Sequence, residues 1–81
     1  MDFLKIVRAE YLEGYCLKLW FNNGEVRVAD LSQSLVGPMF EPLKEIGYFM
    51  NYKIPHNTVE WENGADFAPE YLYEISIPKT K

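Results

Sequence analysis

The chain has 81 residues, 48% of them hydrophobic and 16% aromatic, and 12 acidic against 8 basic side chains give it a net charge of -4. This length allows one domain with a small core and excludes a second domain or a deep cleft, while the aromatic content disfavours disorder. The acidic balance suits a protein in water and argues against a surface that follows nucleic-acid phosphates.

The sequence shows no feature of secretion or membrane insertion. The opening stretch MDFLKIVRAEYLEGY contains charges too often for a signal peptide, and no run of about 18 apolar residues suggests a membrane span. Cys16 is the single cysteine, so an internal disulfide cannot form. We therefore expect a cytoplasmic protein without a membrane segment.

The first predicted elements form a three-stranded antiparallel meander. FLKIVRAEYLE is typical of a strand with Val7 and Ala9 facing the core, and a turn at Glu13-Gly14 follows it. YCLKLWF alternates with a period of two, the pattern of a strand with one buried face. Asn23-Gly24 then predicts a two-residue type I′ hairpin turn, because that turn needs positive φ at both central residues.

The predicted turn fixes the register of the hairpin. The opposed pairs are Phe21 with Val26, Leu19 with Val28, Trp20 with Arg27 and Lys18 with Ala29. This register places Trp20 and Arg27 together on the face opposite the apolar stripe. A cation over an exposed indole ring contributes about 0.5–1 kcal/mol there.

The middle of the chain predicts a short helix and two more short strands. Phe40, Leu43, Ile46 and Phe49 recur at every third position, which favours a helical turn, with Pro42 in its first turn. YFMNYKIP and NTVEWEN are typical of strands separated by a turn at Pro55-His56-Asn57, with Val59 and Trp61 on one face. Together these elements predict an α+β fold with a small antiparallel sheet of about five strands and one or two short helices.

The closing stretch WENGADFAPEYLY predicts a turn followed by a helix. Asn63-Gly64 turns the chain, and the Asp66 carboxylate is placed to accept backbone N–H bonds at the helix start. Pro69 suits the first turn of that helix. We expect a single domain over residues 1–77 and a frayed tail over residues 78–81.

Several of these residues carry a family resemblance. They are Phe21, Gly24, Asp30-Leu31-Ser32, Phe40 with Leu43, Phe49 and the closing motif W-x-x-G-A-D-x-x-P-E-x-L-Y. With them the chain resembles the bacterial domain-of-unknown-function family 2442 from about Leu4 to Tyr73. The resemblance implies a small α+β domain and no established reaction.

The same resemblance implies two kinds of genetic context. Some members of the family carry an additional helix-turn-helix DNA-binding domain. Others are typically encoded beside a second small protein, an arrangement similar to toxin and antitoxin pairs. Because this chain ends soon after the closing motif, we expect the DNA-binding part to be absent.

Few residues are candidates for catalysis or metal binding. Asp66 and Asp30 each suit a turn or helix start better than a reaction site, because no partner base lies near them in sequence. His56 is the only histidine, which favours an exposed turn residue over a zinc ligand. Cys16 faces outward by parity and has no adjacent base, which favours an inert thiol over a nucleophile. We predict no catalytic residue, no cofactor, no metal site and no enzymatic activity.

Aromatic and basic residues outside the apolar stripe are candidates for binding a partner. The face that carries Trp20, Lys18 and Arg27 is covered by helices, forms an interface with a protein, or stacks single-stranded nucleic acid. Trp61 and Tyr73 complete the candidate partner-binding residues. We favour a protein-interaction or regulatory module whose partner is a second small protein or a second copy. A nucleic-acid-binding regulator is the alternative, and a small enzyme comes third.

Overall fold

The computed structural model, which describes residues 3–79, contains a four-stranded antiparallel sheet and three short helices. In chain order the elements are β1 (Ile6–Tyr11), β2 (Cys16–Phe21), β3 (Val26–Asp30), a 3-10 helix (Glu41–Lys44), α1 (Ile46–Phe49), α2 (Pro69–Ile75) and β4 (Ile77–Pro78). The strands lie side by side in the order β1-β2-β3-β4. The predicted α+β class and the N-terminal meander are therefore confirmed.

The hairpin between β2 and β3 has a three-residue turn. The backbone N–H of Gly24 donates to the carbonyl of Phe21 at 3.1 Å, and the N–H of Phe21 donates to the carbonyl of Glu25 at 2.9 Å. Gly24 has a φ of +90°, whereas Asn23 is not among the residues with positive φ. This is the hairpin loop in which a turn is followed by a glycine bulge, so the predicted type I′ turn is wrong.

The extra turn residue shifts the register by one position. Trp20 lies opposite Val26, and Leu19 lies opposite Arg27. Residues opposite one another in a ladder share a face, so Arg27 lies on the core face with Leu19 and not beside Trp20. The predicted pairing of Trp20 with Arg27 is wrong, because a slip of one residue moves every side chain of a strand to the other face.

A bulge in β1 changes which of its side chains face inward. The register with β2 shifts between Ile6 and Arg8, so Val7 is the extra residue. Ile6 is 1% exposed and Val7 is 62% exposed, which corrects the expectation that Val7 faces the core. Ala9 is partly buried and packs against the core, as expected.

The core lies between one face of the sheet and the segment that contains the helices. Its buried members are Ile6, Leu17, Leu19, Phe21, Ala29, Leu31, Leu35, Leu43, Phe49, Val59, Trp61, Ala65, Phe67 and Leu72. The predicted stripe at every third residue is divided between the 3-10 helix, which buries Leu43, and α1, which buries Phe49. Ile46, a predicted member of the stripe, is exposed. Burial of these side chains holds all three helices on the same face of the sheet.

The segment between α1 and α2 does not form the two strands predicted there. Lys53 and Glu60 make a single antiparallel bridge, in which each backbone N–H donates to the carbonyl of the other at 2.9 and 2.8 Å. Asn57 has a φ of 71°, and Pro55 lacks a backbone donor, so the chain turns instead of extending the ladder. Val59 and Trp61 are nevertheless both buried, which agrees with the prediction that they share a face.

The fourth strand follows α2. β4 pairs with β3, and the backbone N–H of Lys79 donates to the carbonyl of Val26 at 2.8 Å. Pro78 is compatible with this position because β4 is an edge strand. The predicted boundary after residue 77 therefore falls inside a strand, and residues 80–81 of the predicted tail lie outside the described residues.

The hairpin turn predicts a contrast between two glycine-to-alanine substitutions. Gly24→Ala should lower the free energy of unfolding by about 1–2 kcal/mol, because a Cβ disfavours positive φ. Gly47→Ala, within α1 at a position without positive φ, should be neutral or raise it by up to about 1 kcal/mol. Chemical denaturation of both variants measures the difference, and equal midpoints would contradict the assigned turn.

Candidate functional site

The face of the sheet opposite the core is not covered by any element of residues 3–79. We call it the open face; its residues are Arg8, Glu10, Cys16, Lys18, Trp20, Val26, Val28, Asp30 and Ile77. None of them is buried, and Ile77 is 66% exposed. Of the alternatives for the face around Trp20, a cover of helices does not occur within residues 3–79, because the helices pack on the other side of the sheet.

Trp20 lies on the open face with a cation on either side. The guanidinium carbon of Arg8 lies 4.5 Å from the centroid of the indole ring, and Nζ of Lys18 lies 5.0 Å from it. Arg8 is opposite Trp20 on β1, and Lys18 is two residues earlier on β2. The cation that reaches Trp20 from a neighbouring strand is thus Arg8, which the sequence reasoning missed, and not Arg27.

Neither cation of the open face has a carboxylate partner within residues 3–79. The ion pairs of that range join Arg27 to Glu25 and Lys44 to Glu41. Glu10 lies opposite Lys18 in the register but does not form an ion pair with it. The open face therefore presents an indole ring, three aliphatic side chains, the carboxylates of Glu10 and Asp30, and two cations without an ion-pair partner in residues 3–79.

Arg27 forms a network that fastens the end of the chain to the sheet. Its guanidinium lies 4.1 Å above the ring of Tyr73, and its Nη1 donates to Oε1 of Glu25 at 2.7 Å. Its Nε and Nη2 donate to the hydroxyl and the carbonyl of Ser76 at 2.7 and 2.8 Å. The Arg27 side chain is 12% exposed. These contacts engage Arg27 and Tyr73 within the fold, which corrects the expectation that both are available to a partner.

Glu25 and Tyr73 form a hydrogen bond within the same network. The Tyr73 hydroxyl donates to Oε2 of Glu25 at 2.6 Å. This bond, together with the bond and charge of Arg27, lowers the pKa of the Glu25 carboxyl. The bond to the carboxylate also raises the pKa of Tyr73, since it favours the protonated phenol. The folded structure therefore stabilises the ionised form of the Glu25 carboxyl.

Trp61 is a core residue. Its side chain is 2% exposed, its indole N–H donates to the carbonyl of Phe49 at 2.8 Å, and its ring lies 5.5 Å from the Phe49 ring. This placement corrects the expectation that Trp61 is open to a partner. A surface cavity of about 330 Å³ adjoins it, lined by Asn51, Lys53, Pro55, Glu60, Trp61 and Glu62. No other candidate residue from the sequence lines this cavity.

The closing motif is organised by Asn63 rather than by Asp66. Oδ1 of Asn63 accepts the N–H of Ala65 at 3.1 Å, and its Nδ2 donates to the carbonyl of Met39 at 2.9 Å. Asp66 is exposed, and α2 begins after Ala68 without a side-chain cap. This corrects the expectation that Asp66 caps the final helix.

Other motif residues take part in local structure. Gly64 has a φ of +89°, and Pro69 is the first residue of α2. Oδ1 of Asp30 accepts the backbone N–H of Ser32 at 3.0 Å, which stabilises the turn after β3. These side chains and angles shape the turns at both ends of the long connection between β3 and α2.

Cys16 and His56 are the side chains that the sequence offered for nucleophilic or metal chemistry. Burial raises the pKa of the Cys16 thiol, and the neighbouring charges of Asp30 and Glu13 raise it further, so less of it is the nucleophilic thiolate. His56 is an exposed turn residue. Groups of three or more side chains able to hold a metal ion are absent from residues 3–79.

The comparison with known families identifies the domain. The chain matches the model of the family described as Protein of unknown function (DUF2442) over residues 6–78. The chain belongs to this family. No match was found among curated proteins or among solved structures. The resemblance seen in the sequence is thereby confirmed, and the matched range contains β1 to β4, including the whole open face.

The DUF2442 domain contains no helix in residues 3–79 that is long and apolar enough to cross a membrane. Its longest helix, α2, has seven residues, while a membrane span needs about 20.

The closing motif of the DUF2442 domain predicts different effects for two neighbouring polar side chains. Asn63→Ala should lower the free energy of unfolding by about 1 kcal/mol, because it removes two hydrogen bonds to the backbone. Asp66→Ala should change it by less than about 0.5 kcal/mol, because this side chain is exposed. Urea denaturation of both variants tests this, and a larger loss for Asp66→Ala would restore it as the organising residue.

The Glu25 carboxylate predicts an acid-sensitive contribution to stability. Because the pKa of Glu25 is lower in the folded than in the unfolded protein, its contribution is present at neutral pH and disappears as the pH falls through the folded pKa. The free energy of unfolding should therefore fall more steeply with acid in the wild type than in Glu25→Gln. The exposed Glu62→Gln variant serves as the control and should follow the wild type. Parallel slopes for wild type and Glu25→Gln below pH 5 would contradict the network.

Proposed function

We propose that this DUF2442 domain is a non-enzymatic protein-interaction module that binds a partner protein through the open face. The observation that supports this most directly is a sheet face on which Trp20 lies among apolar and cationic side chains and no element of residues 3–79 covers it. Tryptophan and arginine are the residue types enriched at the energetic centres of protein interfaces. Trp20, Val26 and Val28 are partly buried and Ile77 is exposed, so together they form a contiguous apolar contact on this face.

The location of the perturbed titrating groups supports a binding role over an enzymatic one. Active sites typically gather shifted pKa values in a cleft. Here Glu25 and Tyr73 shift each other's pKa within the network that fastens α2 to β3, where both side chains already have hydrogen-bond partners. Their pKa shifts are therefore explained by a structural role.

The interaction we propose is regulatory, in the cytoplasm, between this domain and a second small protein. Support comes from the resemblance to family members encoded beside a second small protein, in an arrangement similar to toxin and antitoxin pairs. The open face adds to it, since a surface of four short strands suits a small partner.

A nucleic-acid-binding regulator is the second candidate. An aromatic ring beside two cations is also the composition of a platform for single strands, which favours this function. Against it stand the net charge of -4 and the carboxylates of Glu10 and Asp30 on the same face, because both repel phosphates.

Site-specific photocrosslinking in the native host tests the proposed function. A photoreactive amino acid replaces Ile77, which is 66% exposed on the open face, or Val36, which is 69% exposed outside it. We expect a discrete covalent adduct with one protein from position 77 and not from position 36. Adding Trp20→Ser should abolish the adduct.

The crosslinking experiment has clear contrary outcomes. Adducts of equal yield from both positions, or no adduct from position 77, would contradict a partner on the open face. An adduct with nucleic acid would favour the second candidate. Thermal unfolding of Trp20→Ser serves as the control that the variant is folded, and Arg27 is left unchanged because its network holds the fold together.

A further inference from the structure

We infer that the segment of the partner that occupies the open face is acidic, with carboxylates spaced to reach Arg8 and Lys18 and an apolar side chain beside them. This inference rests on the proposed function and adds the chemistry of the partner to it. The two cations supply the charge that an acidic segment would neutralise, and the indole ring with its aliphatic neighbours supplies the apolar contact.

The distribution of charge on the open face favours an anionic occupant at one end. Arg8, Trp20 and Val26 form a row across three strands without a carboxylate. The next row contains Lys18 with Glu10 opposite it, and the following row ends in Asp30. Positive charge is thus concentrated toward the hairpin turn. An anion placed there meets two cations that lack an ion-pair partner within residues 3–79.

The spacing of the two cations suits a short segment with regular side-chain spacing. Arg8 and Lys18 lie in adjacent rows on the same face, and successive positions on one face of a strand are about 7 Å apart. Carboxylates two residues apart in an extended chain have the same separation. On a helix, carboxylates four residues apart lie about 6 Å from one another. In an extended segment the residue between two such carboxylates points to the opposite side, so the apolar side chain that meets Trp20 is the next one along the same face.

The area of the open face argues for a segment and against a second copy of the chain. Strands of about six residues, four abreast, cover roughly 20 Å by 15 Å, or about 300 Å² in projection. Even if the relief of the side chains doubles this value, it falls short of the roughly 800 Å² per partner that a stable interface buries. A second copy would bring two cations together with the two carboxylates of Glu10 and Asp30, so its face has no net charge to offer Arg8 and Lys18.

The placement of the cations argues against nucleic acid as the occupant. Arg8 and Lys18 already lie over the indole ring, at 4.5 and 5.0 Å from its centroid. A base stacks on the whole face of a ring and would have to displace them, whereas carboxylates can pair with the two cations where they lie. The carboxylates of Glu10 and Asp30 would also repel a phosphate chain that continued along the face.

Selection from a displayed library of random ten-residue peptides tests this inference. Peptides selected on the wild-type protein should be rich in aspartate and glutamate. The variant with both Arg8→Glu and Lys18→Glu should select peptides without that enrichment. Amide chemical shifts in NMR titrations should locate the selected peptides on the open face, including the indole N–H of Trp20.

Charge variants then measure the contribution of each cation. Arg8→Gln and Lys18→Gln should each weaken the binding of a selected acidic peptide by about two- to fivefold, as expected for exposed ion pairs. Lys44→Gln is the matched control, because Lys44 is paired with Glu41 and lies outside the open face. Raising the salt concentration from about 0.05 M to 0.5 M should weaken binding to the wild type further.

The outcomes separate this inference from the proposed function. Peptides that bind the open face without acidic enrichment would overturn the inference and leave the proposed function standing. Peptides that bind Trp20→Ser as tightly as wild type, or no selectable binder, would overturn both. Binding of an oligothymidylate to the open face more tightly than any selected peptide would replace the acidic protein segment with nucleic acid.

Discussion

The three-residue turn between β2 and β3 determines which side chains are inside this domain and which are outside. The positive φ of Gly24 allows the bulge that pairs Leu19 with Arg27 rather than with Val28. One residue less in the turn would move Arg27 to the open face and both valines of β3 into the core. The open face and the attachment of the C-terminal elements therefore both depend on this local backbone conformation.

Placing an arginine on the core face has an energetic cost that the network around it offsets. A guanidinium withdrawn from water must recover its hydrogen bonds within the protein. Arg27 does so through Glu25 and both oxygens of Ser76, and its flat surface packs on Tyr73. Because Tyr73 belongs to α2 and Ser76 follows it, the arginine links the end of the chain to β3. The hydrogen bonds of Arg27 thus add to the stability that the small hydrophobic core supplies.

The sequence allowed the fold class, the meander and the helical stripe to be predicted, because each rests on a local periodicity. Asn23-Gly24 correctly indicated a hairpin, but this dipeptide fits both two- and three-residue loops, and the choice decides the register. Between Tyr52 and Trp61 the alternating pattern came from a connection that buries Val59 and Trp61 without pairing as a strand. In that segment the alternating pattern of apolar residues reflects tertiary packing and not strand pairing.

The candidate site was only partly accessible to sequence reasoning for the same reason. Trp20 and Lys18 were recognised from parity within β2, while Arg8 could be added only once the bulge at Val7 had fixed the register of β1. Trp61 is like Trp20 only in residue type. Its burial depends on its contact with Phe49, which belongs to another element of the chain.

The inverted pattern of β3 is itself an argument for function. In a sheet with one solvated face, β-branched residues usually point inward and charged residues outward. In β3, Val26 and Val28 point outward while Arg27 points inward. A stable fold would form more simply with the opposite arrangement, and such local conflicts are expected where a surface is selected for binding. The two valines lie opposite Trp20 and Lys18 on the open face. The outward-facing valines therefore lie on the same surface as the two cations that have no ion-pair partner in residues 3–79.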